Sequence, residues 1–496
     1  MARPVSNRQQ NQNWGTRGHQ DERDVMTQAP EYLKRSDVQG DEPPRKRSRF
    51  DITTREELSS VPPIQRQERF DHREATNSSS RRFESRLESK RRDDNESCIF
   101  PPNAHQEDEG HYRGGRGDIL GNRYEILGNA GTGTFGRVVE CIDRKNNHKV
   151  AIKIVRRVHR YTKSAVIEAD IVRDVNRRAF NITRGDFKQT NFSSSLTKKD
   201  IWFDPRKLIV QLHSTFYAQG HYCLVFEKLG ISLYELLKLN NYRPFLPKTA
   251  ARFSYQILKA IEFLHSMQLC HTDLKLENIL LRNSQLLSIH DSRDISSQNI
   301  LPPFHIPAQD YIVLVDFGGA TYDYETKSAI ISTRQYRAPE VILNLGWSMP
   351  SDLWSAGCIV AELFRGDLLF ATHSNTCHIG LIDRLVGPFP FSMLQHSKYF
   401  HRYFDQHGRS NWPTALRRQA RDHVRKMPTL SDYCHNDRDL FDLLKKLLII
   451  DPLRRFSATK ALQSASLFSS FERLFSSSSH SSRYHVALFP LYPAYS

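Results

Sequence analysis

The sequence predicts an α+β fold of two lobes, a β-rich lobe followed by a helical one, with a cleft between them. Three observations carry this. Residues 123–155 alternate apolar and β-branched positions, broken by glycines and an Asn146-Asn147 turn. From Lys248 onward the apolar residues recur at helical spacing, as in "AARFSYQILKAIEFLHSM" and "FDLLKKLLII". The strands come first and the helices after, which is an α+β order and not an alternating βα one.

Residues 1–117 hold 22 Lys+Arg against 21 Asp+Glu and few periodic apolar positions. Such a segment cannot bury enough apolar surface to offset its ordering entropy, so a disordered N-terminal extension is expected. Within it lies "PPRKRSRF". The compact cluster Arg45-Lys46-Arg47-Ser48-Arg49 has the form that import receptors read. The plainer alternative is a solvated charge run in a tail.

The stretch "RYEILGNAGTGTFGRVVECIDRKNNHKVAIKIV" reads as three antiparallel strands, and "KSAVIEADIVRDV" has helical spacing. A polar, basic insert follows at about 177–206. Strands are expected at "KLIVQLHSTF" and "HYCLVFEKL", then helices to about Phe468. Residues 469–496, with "SSSSHSS", read as a flexible Ser-rich tail.

Composition narrows the function. The chain has 496 residues and seven scattered cysteines with no C-x-x-C pair. That pattern argues against a disulfide framework or structural zinc and for a reducing compartment. No apolar run approaches the roughly 18 residues of a membrane span, and none near Met1 suits a signal peptide, so a soluble intracellular protein is expected. The net charge is +16, of which +15 falls in 118–496. No aromatic–basic platform accompanies it, so solubility and weak polyanion affinity are expected in preference to direct RNA binding.

The chemistry lies in motifs that follow one another in order. A Gly-rich stretch runs through Ala130, Gly131, Gly133, Thr134, Phe135, Gly136 and Val138; its glycines let backbone amides approach phosphates, and Phe135 at the tip would cover them. "VAIK" on a predicted strand contributes Ala151 and Lys153, a clamp for the α and β phosphates, with Glu168 in the next helix as its carboxylate partner. Phe226, Glu227 and Leu229 would border the nucleotide. In "HTDLKLEN", Asp273 would accept the substrate hydroxyl proton, Lys275 would neutralise the γ-phosphate and Asn278 would hold magnesium. "VLVDFGGA" supplies Asp316, the main magnesium ligand, followed by Phe317 and Gly318. Glu340 of "YRAPE" is placed to pair with Arg455 of "DPLRRF", and Asp352 to brace the catalytic loop. Each motif alone is weak. In this order they point to phosphoryl transfer from ATP with Mg²⁺.

Residues 118–468 resemble a eukaryotic protein kinase, and within that group the LAMMER or Cdc-like kinases. The resemblance rests on "HTDLKLENILL", "VDFGGATYDYE", "STRQYRAPEVILNLGWSMPSDLWSAGCI" and "THSNTCHIGLIDRLVGPFP". It implies a bilobal kinase fold and a monomeric enzyme that is dual-specific: Ser/Thr on substrates, Tyr on itself. It also implies Arg/Ser-rich splicing factors as substrates and a nuclear location with a cytoplasmic pool. A second insert, about 284–308, accounts for the 43 residue steps from Asp273 to Asp316. Glu277 is either a contact for a substrate arginine or a plain loop residue. The family signature Glu-His-Leu-Ala-Met-Met-Glu-Arg falls on Cys377–Arg384, which keeps His378 and Arg384 and departs at most other positions; Leu276 stands where the family has proline. Thr272 stands where most kinase loops carry arginine, and the family itself has threonine there. An uncharged residue needs no activation-segment phosphate, so Thr272 is expected to remove a control element and leave catalysis intact. Ser332, Thr333 and Tyr336 are the segment's candidate phosphate acceptors. The alternative function is a pseudokinase or scaffold without catalysis.

Overall fold

The structure, a computed structural model, describes residues 110–183, 204–291, 303–468 and 484–487. The Arg45–Arg49 cluster and the rest of residues 1–109, most of the first insert, residues 292–302 and most of the tail lie outside these.

The first lobe is a six-stranded antiparallel sheet. Its strands are β1 (Ile119–Leu120), β2 (Tyr124–Gly133), β3 (Gly136–Asp143), β4 (His148–Val155), β5 (Leu212–Ala218) and β6 (His221–Glu227), in the order β1-β2-β3-β4-β6-β5. The β3–β4 turn falls where expected, with Asn147 at φ 50°. Period-two alternation buries Ile126, Val139, Ile152 and Val225 on one face. The register sets Val138 opposite Lys153 and Ala151 opposite Phe226, which gathers these residues at the cleft end of the sheet.

Helix α1 (His159–Thr183) packs Ala165 and Ala169 against Val155 and Leu224. It runs further than the sequence suggested, into the stretch read as an insert. Asp174 pairs with Arg177 and Arg178 one turn on, and Ala179 is buried, so the polar composition hides an amphipathic turn. The strand expected from Lys207 starts at Leu212. Residues Pro205–Leu208 (α2) instead form a helical turn, capped by Asp204 accepting from the Arg206 N–H. Within residues 110–117, expected to be disordered, Tyr112 is anchored on the sheet. Tyr112 lies in the sheet's core, edge-on to His221 at 5.5 Å, and Arg137 donates to the carbonyls of Tyr112 and Gly114. One anchored aromatic needs no periodic pattern, so composition could not reveal it.

The second lobe is built on α4 (Pro247–Ser266) and α6 (Pro350–Arg365). Phe253, Ile257 and Leu264 of α4 and Trp354 and Ile359 of α6 are fully buried in one cluster. Helix α3 (Leu233–Leu239) opens on a Ser232–Glu235 capping box. A short α5 (Pro339–Ile342) precedes α6, and α7 (Asn375–Leu385) follows it. Two small ladders frame the chemistry. Strand β7 (Leu269–Cys270) pairs with β12 (Thr321–Tyr322), and β8 (Ile279–Leu281) with β11 (Ile312–Leu314). Residues 271–278 therefore span β7 to β8, and residues 315–320 span β11 to β12. The second insert, read as polar, contains a hairpin of β9 (Leu286–Asp291) and β10 (Phe304–Pro307); β13 (Tyr484–Ala487) pairs with β9 from within the stretch read as tail.

Candidate active site

Lys153, on β4, donates to both Glu168 oxygens at 2.8 and 2.9 Å and to Asp316 Oδ1 at 3.3 Å. Burial alone would pull its pKa down, but Glu168 and Asp316 outweigh it, and the ammonium is held above its ordinary value. The helix, the sheet and the 315–320 segment thus meet at one cation. Asp316 sits at φ 62°, a backbone conformation uncommon for a non-glycine residue. Phe317, next to it, is 1% exposed and edge-on to His271 at 5.1 Å.

The Gly-rich hairpin turns at Thr134-Phe135. A Cβ on Gly136 would stand 2.2 Å from the Ile154 carbonyl, so packing against β4 demands glycine there. No atom lies within 4 Å of a Cβ on Gly131. Its missing side chain leaves open space, the room a phosphate group needs. Phe135, expected to cover the phosphates, lies edge-on to Tyr161 of α1 at 5.3 Å. Ala130 and Thr134 are exposed, and Val138, Ala151 and Phe226 half-buried. The Glu227 carboxylate accepts from the Gln211 N–H and from Arg282, each at 3.0 Å, so it fastens the connection between the lobes. Leu229 buries its side chain in the helical-lobe core.

On the opposite wall, Asp273 Oδ2 accepts from Lys275 at 2.8 Å. Its Oδ1 accepts from the Thr333 backbone N–H at 2.9 Å and hydroxyl at 2.8 Å. Lys275 also donates to the Thr333 hydroxyl at 3.1 Å. Burial would raise the Asp273 carboxyl, but these donors hold it below the ordinary aspartate value. Asp316 is likewise depressed, Lys153 prevailing over burial. Asn278 donates its amide N–H to the Asp273 carbonyl at 2.9 Å, which fixes the amide's orientation and leaves its oxygen as the end for a metal. Among the described residues no group of three or more His, Cys, Asp or Glu could hold a metal ion. Asn278 and Asp316 fit a magnesium ion brought in with nucleotide phosphates, which needs only one or two protein oxygens.

Thr272 adopts φ 71°. Asp352 holds it there, accepting from the Thr272 N–H at 3.0 Å and the His271 N–H at 2.8 Å. The Thr272 hydroxyl donates to the Gly319 carbonyl, and its own carbonyl accepts from Ser332 at 2.9 Å. The bracing role expected of Asp352 is present in the geometry. So is the Glu340–Arg455 pair, bidentate at 2.7 and 2.8 Å and fully buried. The three candidate phosphate acceptors are each engaged in a contact of their own. Ser332 bonds the catalytic loop, Thr333 bonds Asp273, and Tyr336 is 3% exposed and donates to Glu362 at 2.6 Å. Thr333 as a partner of Asp273, and the Tyr322 hydroxyl donating to Asp174 of α1 at 2.7 Å, were not foreseen. Both contacts cross between distant segments, and no local pattern encodes them.

The protein kinase domain family matches residues 203–467. The chain is 38% identical over 371 residues to serine/threonine-protein kinase AFC1 of Arabidopsis thaliana, covering 73% of this chain and 74% of that one. It is 38% identical over 368 residues to dual specificity protein kinase CLK2 of Homo sapiens, covering 72% and 66%. A solved crystal structure described as a kinase domain aligns with TM-score 0.63 at 34% identity, over 72% of this chain and 99% of the other.

Proposed function

The chain belongs to the protein kinases, and from that premise we propose that it transfers the γ-phosphoryl group of ATP to serine and threonine hydroxyls of Arg/Ser-rich splicing factors in the nucleus, and to its own tyrosines. The observation that carries the reading is the Asp273–Lys275–Thr333 triangle together with the Lys153–Glu168–Asp316 ion cluster. An ionised Asp273 orients the acceptor hydroxyl and takes its proton as it attacks. Lys275 neutralises the transferring group. Lys153, fixed by Glu168, clamps the α and β phosphates, and the open side of Gly131 gives the phosphate chain its place. Magnesium on Asp316 and the Asn278 oxygen would neutralise the phosphate charge.

The substrate class rests on local electrostatics. Glu277 is exposed, and it and Asp367 both act on the buried Glu362. The exposed carboxylates of Glu277 and Asp367 suit a basic peptide, although the chain as a whole, at +16, repels one. The Arg45–Arg49 cluster supports nuclear entry through an import receptor.

The test is a radiolabel assay of the purified full chain with Mg-ATP on an Arg/Ser-repeat peptide and on an acidic peptide. Incorporation into the first alone, lost in Asp273→Asn, is expected. No incorporation into either would leave a scaffold. A tagged chain with Arg45, Lys46, Arg47 and Arg49 changed to Ala should shift to the cytoplasm, and an unchanged distribution would discard the import signal.

A further inference from the structure

Tyr324 is the most exposed aromatic residue of the 316–340 activation segment, at 72%. Its ring stacks on Tyr322, centroids 5.4 Å apart and planes 18° from parallel. The Tyr322 hydroxyl donates at 2.7 Å to Asp174 Oδ2, on the helix that carries Glu168. Asp174 also pairs with Arg177 and Arg178, whose side chains are 59% and 43% exposed. The acids beside Tyr324 are turned to contacts of their own. Glu325 accepts from the Tyr322 N–H at 3.1 Å, and Asp323 from Lys327 at 2.6 Å and the Ser348 hydroxyl at 2.8 Å. The exposed ring is therefore one stacked ring away from Asp174 and the two guanidiniums that share its carboxylate. Burial, Glu325 and Asp174 raise the Tyr324 phenol while Arg178 opposes them, so Arg178 is the cation that acts on it.

We infer that Tyr324 is a phosphorylation site, modified by a second copy of this kinase, and that the guanidiniums of Arg177 and Arg178 receive the phosphate. The inference rests on the kinase reading above. In the step, the Tyr324 phenol oxygen attacks the γ-phosphorus of ATP bound to the other copy. The bond from that phosphorus to the β–γ bridging oxygen breaks, ADP leaves, and the phenolic proton passes to Asp273 of the copy acting as enzyme. The reaction is between copies because Tyr322 is tied to Asp174 and paired in β12, so Tyr324, two residues on, cannot reach its own Asp273 without breaking those ties. The added charge fastens the activation segment to the helix that positions Glu168. Its effect is a gain on an enzyme already held active through Thr272, about two- to threefold, the scale of one exposed ion pair.

The experiment uses full-length Asp273→Asn as acceptor and wild-type chain as enzyme, with Mg-ATP, read by phosphopeptide mass mapping. Phosphotyrosine at position 324 is expected, forming faster as acceptor concentration rises. Prephosphorylated wild type should exceed Tyr324→Phe, which keeps the stack but lacks the acceptor oxygen, by two- to threefold in kcat/KM. The gap should close in an Arg177→Gln/Arg178→Gln variant, and phosphorylation should slow hydrogen exchange over residues 170–180 only when both arginines are present. An Arg/Ser peptide phosphorylated while Tyr324 is not would overturn the inference and leave the kinase reading standing. Failure of both would remove the two together. Phosphorylation with no dependence on the arginines would overturn their role as the receiving site.

Discussion

The Thr272 hydroxyl donates to the Gly319 carbonyl at 2.8 Å, tying the catalytic loop to the turn after Asp316. A Cβ on Gly319 would stand 2.7 Å from that hydroxyl, so the contact depends on both residues. With Ser332 donating to the Thr272 carbonyl, the activation segment is tied to Thr272 by neutral hydrogen bonds that need no phosphate. Phosphatase-treated enzyme should therefore keep at least about a third of its rate, the limit set by one exposed ion pair. Thr272→Val removes the donor at constant shape and should cost about 1 kcal/mol, a few-fold in rate if it acts on the barrier. Thr272→Arg buries a cation with Asp352 already committed, and should lower activity by about tenfold or more and make it respond to phosphate. Steady-state assays of the three proteins before and after phosphatase decide this. Near-total loss in the wild type would refute the argument from Thr272.

Lys153→Met keeps an apolar position on β4 but removes the clamp, and Asp273→Asn removes the proton acceptor; both should leave a folded protein without measurable turnover. Thr333→Val is the sharper test. It deletes a hydroxyl that donates to Asp273 and accepts from Lys275. A loss of about 10²-fold in kcat, the lower end for general-base assistance, with little change in the KM for ATP, is expected. Wild-type kcat in Thr333→Val would mean that the triangle is not used.

Much of this site was legible in the sequence because each motif carries its chemistry locally. "VAIK" and "HTDLKLEN" announce Lys153 and Asp273 whatever surrounds them. The order of strands and helices was legible for the same reason, as period two and period 3.6 are local properties. Contacts between segments far apart in the chain were not legible. Thr333 reaches Asp273 across 60 positions, and Tyr322 reaches Asp174 across 148. Tyr112 was missed because one buried ring in a polar segment leaves no periodic trace. Helix α1 outran its apolar stripe because Asp174, Arg177 and Arg178 stabilise its last turns by charge.

Arg455 and Glu340 form a bidentate pair with Arg455 side chain 0% and Glu340 2% exposed. Arg455 also donates to the carbonyls of Ile449, Ile450 and Pro350. Removing one partner strands a buried charge, so Arg455→Met should cost about 3–5 kcal/mol. Replacing both, as Arg455→Met/Glu340→Gln, should recover part of that loss, because the uncompensated carboxylate is gone. Denaturant unfolding of the two variants measures it. Equal stability of single and double variants would show that the backbone contacts, not the ion pair, dominate.

Glu362 gives a pH signature. It is 3% exposed, and burial pushes its carboxyl up to about 7 against the opposing hydrogen bond from Tyr336. An acid whose pKa is higher folded than unfolded binds more protons in the native state between the two values. Stability then falls as pH rises through that window. From the ordinary 4.5 to about 7, the loss reaches roughly 3 kcal/mol at 1.36 kcal/mol per unit. Glu362→Gln keeps an oxygen to accept from Tyr336 and cannot ionise. The variant should match the wild type near pH 5 and exceed it by about 2–3 kcal/mol near pH 8. Thermal unfolding of both proteins across that range tests the difference directly, since every other titrating group is common to the two. Parallel curves would mean that the carboxyl ionises at its ordinary pH and that Glu362 is solvated when the protein moves.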